Sequence, residues 1–215
     1  MPTLEAIHFG PASKGTPKQL IVLCHGLGAD AYDLIDLGHA WQHACPNALF
    51  AAVHAPFPCD AGFGRQWWSV ADRTPAVMEA GVRAAAPYLH GFIDAELARL
   101  GLPPDAYALM GFSQGAMMAL FAGLRRQVAP RAILAYSGAL VAPQSLAAEK
   151  GASTEVLLVH GEADAVVPAF RSRDAEEALQ EAGIWVEAHF IPGLGHGIDE
   201  TGISLGTLAL QRGFA

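Results

Sequence analysis

A serine between two glycines, a later aspartate and a still later histidine are the residues whose types and order in this chain fit covalent chemistry. Ser113 stands in LMGFSQGAM, 109–117, where an apolar strand-like run passes directly into an apolar helix-like run. A chain that turns from strand to helix within one residue holds that residue in a strained conformation. The two elements then approach too closely for side chains two positions before and two after it. Gly111 and Gly115 occupy those positions. A plain Gly-Ser-Gly loop would not need the flanking apolar runs. The spacing therefore predicts an exposed serine at the tip of a tight turn, beside the positive end of a helix.

A serine hydroxyl is a poor nucleophile until a base takes its proton, and that base needs an acid to orient it. Downstream, EVLLVHGEAD ends on Asp164, with Glu162 as its competitor, and GLGHGID places His196 in a glycine-rich loop. The chain has nine histidines. His25, His54 and His160 also fall at strand ends, where they read as hydrogen-bonded supports for loops. His196 is preferred because it follows the last strand, and Asp164 is preferred on the order Ser, Asp, His. Acyl transfer also develops an oxyanion, which needs aimed backbone N–H donors. One is expected from Gln114, the residue after the serine. The other belongs to HGLGAD, which offers His25, Gly26, Leu27 and Gly28 in turn, and Leu27 is the choice.

The elements that must position these groups are legible as an alternation. QLIVLCHG, ALFAAVHAP, YALMGFS, AILAYSG, EVLLVHGEAD and WVEAHFIPG read as strands, the middle ones apolar on both faces. Between them lie stretches of helical spacing. Leu34, Leu37 and Trp41 share one face of the first. TPAVMEAGVRAAAPYLHGFIDAELARL opens on a Thr-Pro start signal and carries Pro87 inside, which predicts a kink or a split. GAMMALFAGLRR follows the serine, and PAFRSRDAEEALQEAG starts with Pro168 as its expected first helical residue. DETGISLGTLALQRGF, with two interior glycines, is the weakest helix signal. The alternation predicts one α/β domain over residues 1–215, with a mostly parallel central sheet, helices on both faces and no separate lid domain. Ligands of such sheets bind beyond the carboxyl ends of the strands.

Composition narrows the partners. At 215 residues with 52% hydrophobic residues, the chain can bury a sizeable core. A formal net charge of −8 argues against nucleic acid or an anionic membrane surface as a partner. MPTLEAIHFGPASKG has neither the basic flank nor the apolar run of a signal peptide, and no segment approaches a membrane span, so a cytoplasmic protein without stable membrane insertion is expected. Three cysteines without CxxC spacing argue against a disulfide framework or a zinc site. His39 and His43 stand at i, i+4 but lack the HExxH glutamate and a third ligand. The glycine-rich loops match neither GxGxxG nor GxxxxGK, so no nucleotide, metal or other cofactor is implied.

Between the ALFAAVHAP strand and the long helix, PFPCDAGFGRQWWSV concentrates Phe63, Trp67 and Trp68 in a loop region. They fit an apolar wall for an acyl chain and equally an anchor of the loop to the core. Leu140 and Val166 are further wall candidates from their positions at strand ends. An open site of this kind favours small esters over emulsified triglyceride. A non-catalytic binding protein on the same scaffold is the competing class, and a complete Ser, Asp, His set favours the enzyme.

HGLGAD, GFSQGAM, HGEADAVVP and GLGHGI, in this order and over nearly the whole chain, resemble the phospholipase/carboxylesterase family of α/β hydrolases, which includes the acyl-protein thioesterases. GRQWW, 64–68, is similar to a segment of that family's bacterial members. The resemblance implies Ser113 as nucleophile, His196 as base, Asp164 as orienting acid, and Leu27 and Gln114 as oxyanion donors. It also implies hydrolysis of a small-molecule carboxylic ester or thioester, lysophospholipids among them, through an acyl-enzyme without a cofactor. A homodimer is implied by the resemblance alone. A peptidase or a dienelactone-type hydrolase is the runner-up, and the latter would want cysteine in place of Ser113.

Overall fold

The computed structural model describes residues 4–215. The strands are β1 (Ala6–Phe9), β2 (Gln19–Cys24), β3 (Ala48–Val53), β4 (Phe57–Pro58), β5 (Arg65–Gln66), β6 (Tyr107–Phe112), β7 (Ala132–Tyr136), β8 (Glu155–Gly161) and β9 (Val186–Ile191). The helices are α1 (Tyr32–Trp41), α2 (Pro75–Leu100), α3 (Gln114–Leu124), α4 (Pro143–Glu149), α5 (Phe170–Glu181) and α6 (Glu200–Gly213). Seven strands form one sheet in the order β1-β3-β2-β6-β7-β8-β9. Only β1, paired with β3, runs antiparallel. The other neighbours are parallel, as expected for strands joined through crossover helices. The predicted mostly parallel sheet with helices on both faces is the observed architecture.

Alternate side chains of the apolar strands feed two cores. On one face Leu20, Val22, Leu109 and Ile133 meet α2, α3 and α5; on the other Ile21, Leu23, Met110 and Leu134 meet α1 and α6. Strand order reverses around β2: β3 lies on one side of it and β6 on the other. The crevice at such a reversal is where parallel sheets present ligand sites. The β2 and β6 register pairs Cys24 with Gly111, so the loop after β2 and the turn after β6 open side by side.

Several expectations shift. The long helix is unbroken across Pro87, because its buried stripe of Val82, Ala85, Ala86, Leu89, Phe92 and Ile93 continues through the proline and packing overrides the local preference. Pro168 precedes α5, whose first residue is Phe170; the Pro168 carbonyl instead accepts from the Arg171 N–H at 2.9 Å. The glycines of α6 have a packing reason. A Cβ on Gly206 would collide with the Tyr136 hydroxyl and stand 2.6 Å from Trp41 Cζ2. Trp41 Nε1 donates to the Ile203 carbonyl at 3.0 Å and Tyr136 to that of Gly202 at 2.9 Å, seating α6 on the sheet. Asp199 caps the helix by accepting from the Gly202 N–H. Strands β1, β4 and β5 and helix α4 are too short to carry a periodic signal.

Glu149 at the end of α4 ties three helices together. It accepts from Arg125 Nε at 2.7 Å, from Arg83 Nη2 at 2.8 Å and from Ser145 Oγ at 2.8 Å, while Arg125 lies 4.0 Å over the Phe121 ring. The Arg125, Arg83 and Ser145 hydrogen bonds hold the Glu149 carboxyl down to about 2. A carboxyl depressed on folding stabilises the fold above its unfolded value, and that contribution is lost as pH falls toward the folded one. The urea midpoint should therefore drop between pH 4.5 and about 2. Glu149→Gln should lower the midpoint at neutral pH and flatten that acid limb; an acid limb identical in the variant would refute the assignment.

Candidate active site

At Ser113 the chain turns from β6 into α3 with φ 55° and ψ −118°, a region that L side chains rarely occupy. The flanking glycines explain how the turn closes. A Cβ on Gly111 would collide with the Gly115 carbonyl, and one on Gly115 with the Cys24 carbonyl oxygen. Ser113 N–H donates to the Tyr136 carbonyl at 2.9 Å, and its own carbonyl accepts from Ala116 and Met117 at 3.0 and 3.1 Å. The N–H and the carbonyl of the strained residue itself are thus both engaged.

Gln114, the first residue of α3, has an N–H without a protein acceptor among the described residues, and so does Leu27. The loop bearing Leu27 lies against the serine: a Cβ on Gly26 would stand 3.3 Å from Ser113 Cβ. His25 locks that loop. Its Nε2 accepts from the Ala55 N–H at 3.0 Å, so Nδ1 carries the proton and donates to the Gly26 carbonyl at 2.7 Å. Burial lowers the His25 pKa, more than the Gly26 carbonyl raises it, which keeps the ring neutral. From outside, the β4–β5 hairpin clamps the same loop. Gly28 N–H donates to the Arg65 carbonyl and Arg65 N–H to that of Ala29, both at 2.9 Å. Gly64, at φ +66°, lies so near that a Cβ would collide with the Gly28 carbonyl.

Asp164 lies in the turn after β8 and is 7% exposed. Its Oδ1 accepts from the Val166 and Val167 amides at 2.8 and 2.9 Å, and Oδ2 accepts from His196 Nδ1 at 2.7 Å. Burial alone would raise the Asp164 pKa; the bonds from His196, Val167 and Val166 outweigh it and hold the carboxyl below its ordinary value. With its proton on Nδ1, His196 keeps a lone pair on Nε2. The loop carrying it is stitched to the acid turn by Glu162 N–H to the Ile191 carbonyl and Ala163 N–H to that of Leu194, both at 2.9 Å. The imidazole packs on Phe112, the neighbour of Ser113, with ring centroids 4.7 Å apart. No hydrogen bond joins the Ser113 hydroxyl to His196 among the described residues. Glu162 instead pairs with Arg173 at 3.0 Å on the surface.

Two of the pocket candidates need correction. Trp67 and Trp68 are 0% and 3% exposed, so they anchor the segment instead of forming an open wall. Trp67 Nε1 donates to the His25 carbonyl at 3.0 Å. The Gln114 side chain accepts from the Trp67 N–H at 2.9 Å and donates to the Trp68 carbonyl at 2.8 Å. Phe63 is 70% exposed and stands near Gly28 on the rim. Leu140 and Val166 do line a cavity of about 480 Å³, together with Met78, Met117, Val141 and Val167. Met117, one helical turn after Ser113, and the Val166 and Val167 residues that bind Asp164 are part of its lining. His25 is the hydrogen-bonded loop support expected of it; the clamp by the Gln114 side chain and the Arg65 contacts are absent from the motif reading, because each joins segments far apart in the chain.

A parallel sheet whose strained serine, acid-paired histidine and free amides gather at its carboxyl edge defines an α/β hydrolase. The comparisons narrow this. Residues 10–205 match the model of the phospholipase/carboxylesterase family. The chain is 32% identical over 193 residues to esterase YpfH of Escherichia coli, covering 89% of this chain and 82% of that protein. It is 29% identical over 201 residues to acyl-protein thioesterase 1 of Neurospora crassa, covering 82% and 79%. The crystal structure of esterase PE8 superposes with a TM-score of 0.93 at 39% identity, covering 98% of this chain and 99% of that one. The chain belongs to the phospholipase/carboxylesterase family, and with it to the ester-cleaving hydrolases.

Gln114→Ala keeps the backbone N–H but strands the Trp67 amide and the Trp68 carbonyl. The expected cost is about 2 kcal/mol, the usual penalty for orphaned buried polar groups. Urea unfolding followed by tryptophan emission checks it, and an unchanged midpoint would show that the clamp holds nothing.

Proposed function

We propose that the chain hydrolyses carboxylic esters of short to medium acyl length through a Ser113, His196, Asp164 triad and an acyl-enzyme intermediate. The observation that carries this reading is the 2.7 Å bond from His196 Nδ1 to buried Asp164 beside a serine held at φ 55°. A side-chain rotation of Ser113 or His196 brings Nε2 to the hydroxyl. Ser113 Oγ then attacks the ester carbonyl as Nε2 takes its proton, and Asp164 stabilises the resulting imidazolium. The oxyanion receives the N–H groups of Leu27 and Gln114, each worth about 3 kcal/mol in the transition state. Collapse expels the alcohol, protonated by His196, and water activated by the same ring releases the acid.

The cavity walled by Leu140, Val141 and Val166 takes the acyl chain. Its apolar wall suits an alkyl chain, with Arg73, Gln144, Arg171 and Asp174 also lining the cavity, and its size limits chain length. Thioesters are a second substrate class, supported by the similarity to acyl-protein thioesterase 1. They pass through the same tetrahedral intermediate with a better leaving group.

Ser113→Ala tests the reading on a p-nitrophenyl ester series from acetate to palmitate, with fluorophosphonate labelling in parallel. The expected loss is about 10⁴-fold or more, with an unchanged circular dichroism spectrum and no label. In the unmodified protein, activity should peak at short to medium chains. Retained hydrolysis in Ser113→Ala would overturn the mechanism.

A further inference from the structure

A second buried imidazole lies against the Asp164 oxygen that His196 uses. His160, on β8, is 1% exposed. Its Nε2 lies 2.8 Å from the Val167 carbonyl oxygen and 3.2 Å from Asp164 Oδ2. A carbonyl oxygen only accepts, so Nε2 carries a proton and donates it to Val167, whose own amide donates to Asp164 Oδ1. On the other side of the ring, Nδ1 stands 2.7 Å from the Ser172 hydroxyl, which also lies 3.3 Å from the Gly138 carbonyl. Gly138 packs on the base of the serine turn, where a Cβ would stand 2.6 Å from Ala116 Cβ and 3.4 Å from the Ser113 carbonyl oxygen. A line of contacts thus runs from the backbone under Ser113 through Ser172 and His160 to Asp164.

We infer that His160, oriented by Ser172, is a positioning residue that holds the Val167 turn around Asp164 for His196; the inference rests on the triad reading above. The Val167 carbonyl is fixed by the His160 N–H, and the Val167 amide binds Asp164 Oδ1. With that peptide held and the ring packed 3.2 Å from Oδ2, the carboxylate keeps Oδ2 aimed at His196.

The test compares His160→Leu, His160→Gln, Ser172→Ala and Ser113→Ala on a short-chain p-nitrophenyl ester. Proton NMR follows the downfield resonance of the His196 to Asp164 hydrogen bond. His160→Leu should lower kcat about tenfold or more, the equivalent of leaving the buried Val167 carbonyl unpaired, with KM within about twofold, and should shift that resonance. His160→Gln, which retains an N–H donor, should recover most of the rate. Ser172→Ala should show a smaller loss with the same shift.

A folded His160→Leu with unchanged kcat and an unmoved resonance overturns the inference. So does a rate loss that glutamine does not recover while the resonance stays in place, which would make the ring a packing residue. If His160→Leu does not fold, Ser172→Ala decides on the same two readouts. Hydrolysis retained in Ser113→Ala refutes the triad itself, whereas an inactive Ser113→Ala beside indifferent His160 variants refutes only the role of His160.

Discussion

The site depends on how closely one helix approaches the ends of two strands. Helix α3 meets the carboxyl ends of β2 and β6 at a backbone separation that leaves no room for a Cβ at Gly111 or Gly115. That contact forces Ser113 into its unusual φ and aims the first amides of α3 out of the sheet. It also brings the Gln114 side chain within reach of the Trp67–Trp68 segment. The strain at one residue costs roughly 1–3 kcal/mol. It is offset by a helix that is almost wholly buried, with Ala116, Met118, Leu120 and Phe121 all inside the core. A looser approach would relax the serine and dissolve the arrangement around it.

A hierarchy of support follows from that contact. The loop after β2 rests on the serine turn, the neutral ring of His25 fixes it from below, and the β4–β5 hairpin fixes it from outside. Trp67 closes the circuit by donating to the His25 carbonyl. Every group in this half is a backbone amide, a carbonyl or an uncharged side chain, apart from Arg65. Donors held in this way need no reorganisation when charge develops on a substrate oxygen, which is what makes such amides effective.

How much of this was legible in the sequence follows from which interactions are local. The parallel sheet could be read because apolar runs such as QLIVLC and EVLLVHG are buried on both faces. Gly111 could be read because its close approach to Gly115 acts within five residues of chain, whereas the Cys24 carbonyl that crowds Gly115 comes from β2. The pairing of Asp164 with His196 could be expected from chain order alone. Trp67 and Trp68 could not be assigned, because a loop tryptophan reads alike whether it faces an acyl chain or the core. Its partners, the His25 carbonyl and Met78, come from distant segments. The continuity of α2 through Pro87 was hidden for the same reason, since the buried stripe that sustains it is set by the sheet beneath. His160 was legible only as a supporting histidine at a strand end. Its place against Asp164 and the Val167 carbonyl is a property of the folded turn.

The two halves of the site differ in what can disturb them. The serine and amide half is held by shape and by neutral hydrogen bonds, so protonation between neutral and acid pH leaves it largely untouched. The other half hangs on a buried carboxylate satisfied by two amides and the His196 imidazole. Its geometry is therefore tied to the ionisation of Asp164, whose carboxyl those bonds hold low. Protonating Asp164 would replace an acceptor with a donor at a place where every partner is itself a donor, and the turn would lose several bonds at once. By this argument the acid limit of a working site is set by the Asp164 turn. The sheet, the helices and the serine turn supply a frame that outlasts it.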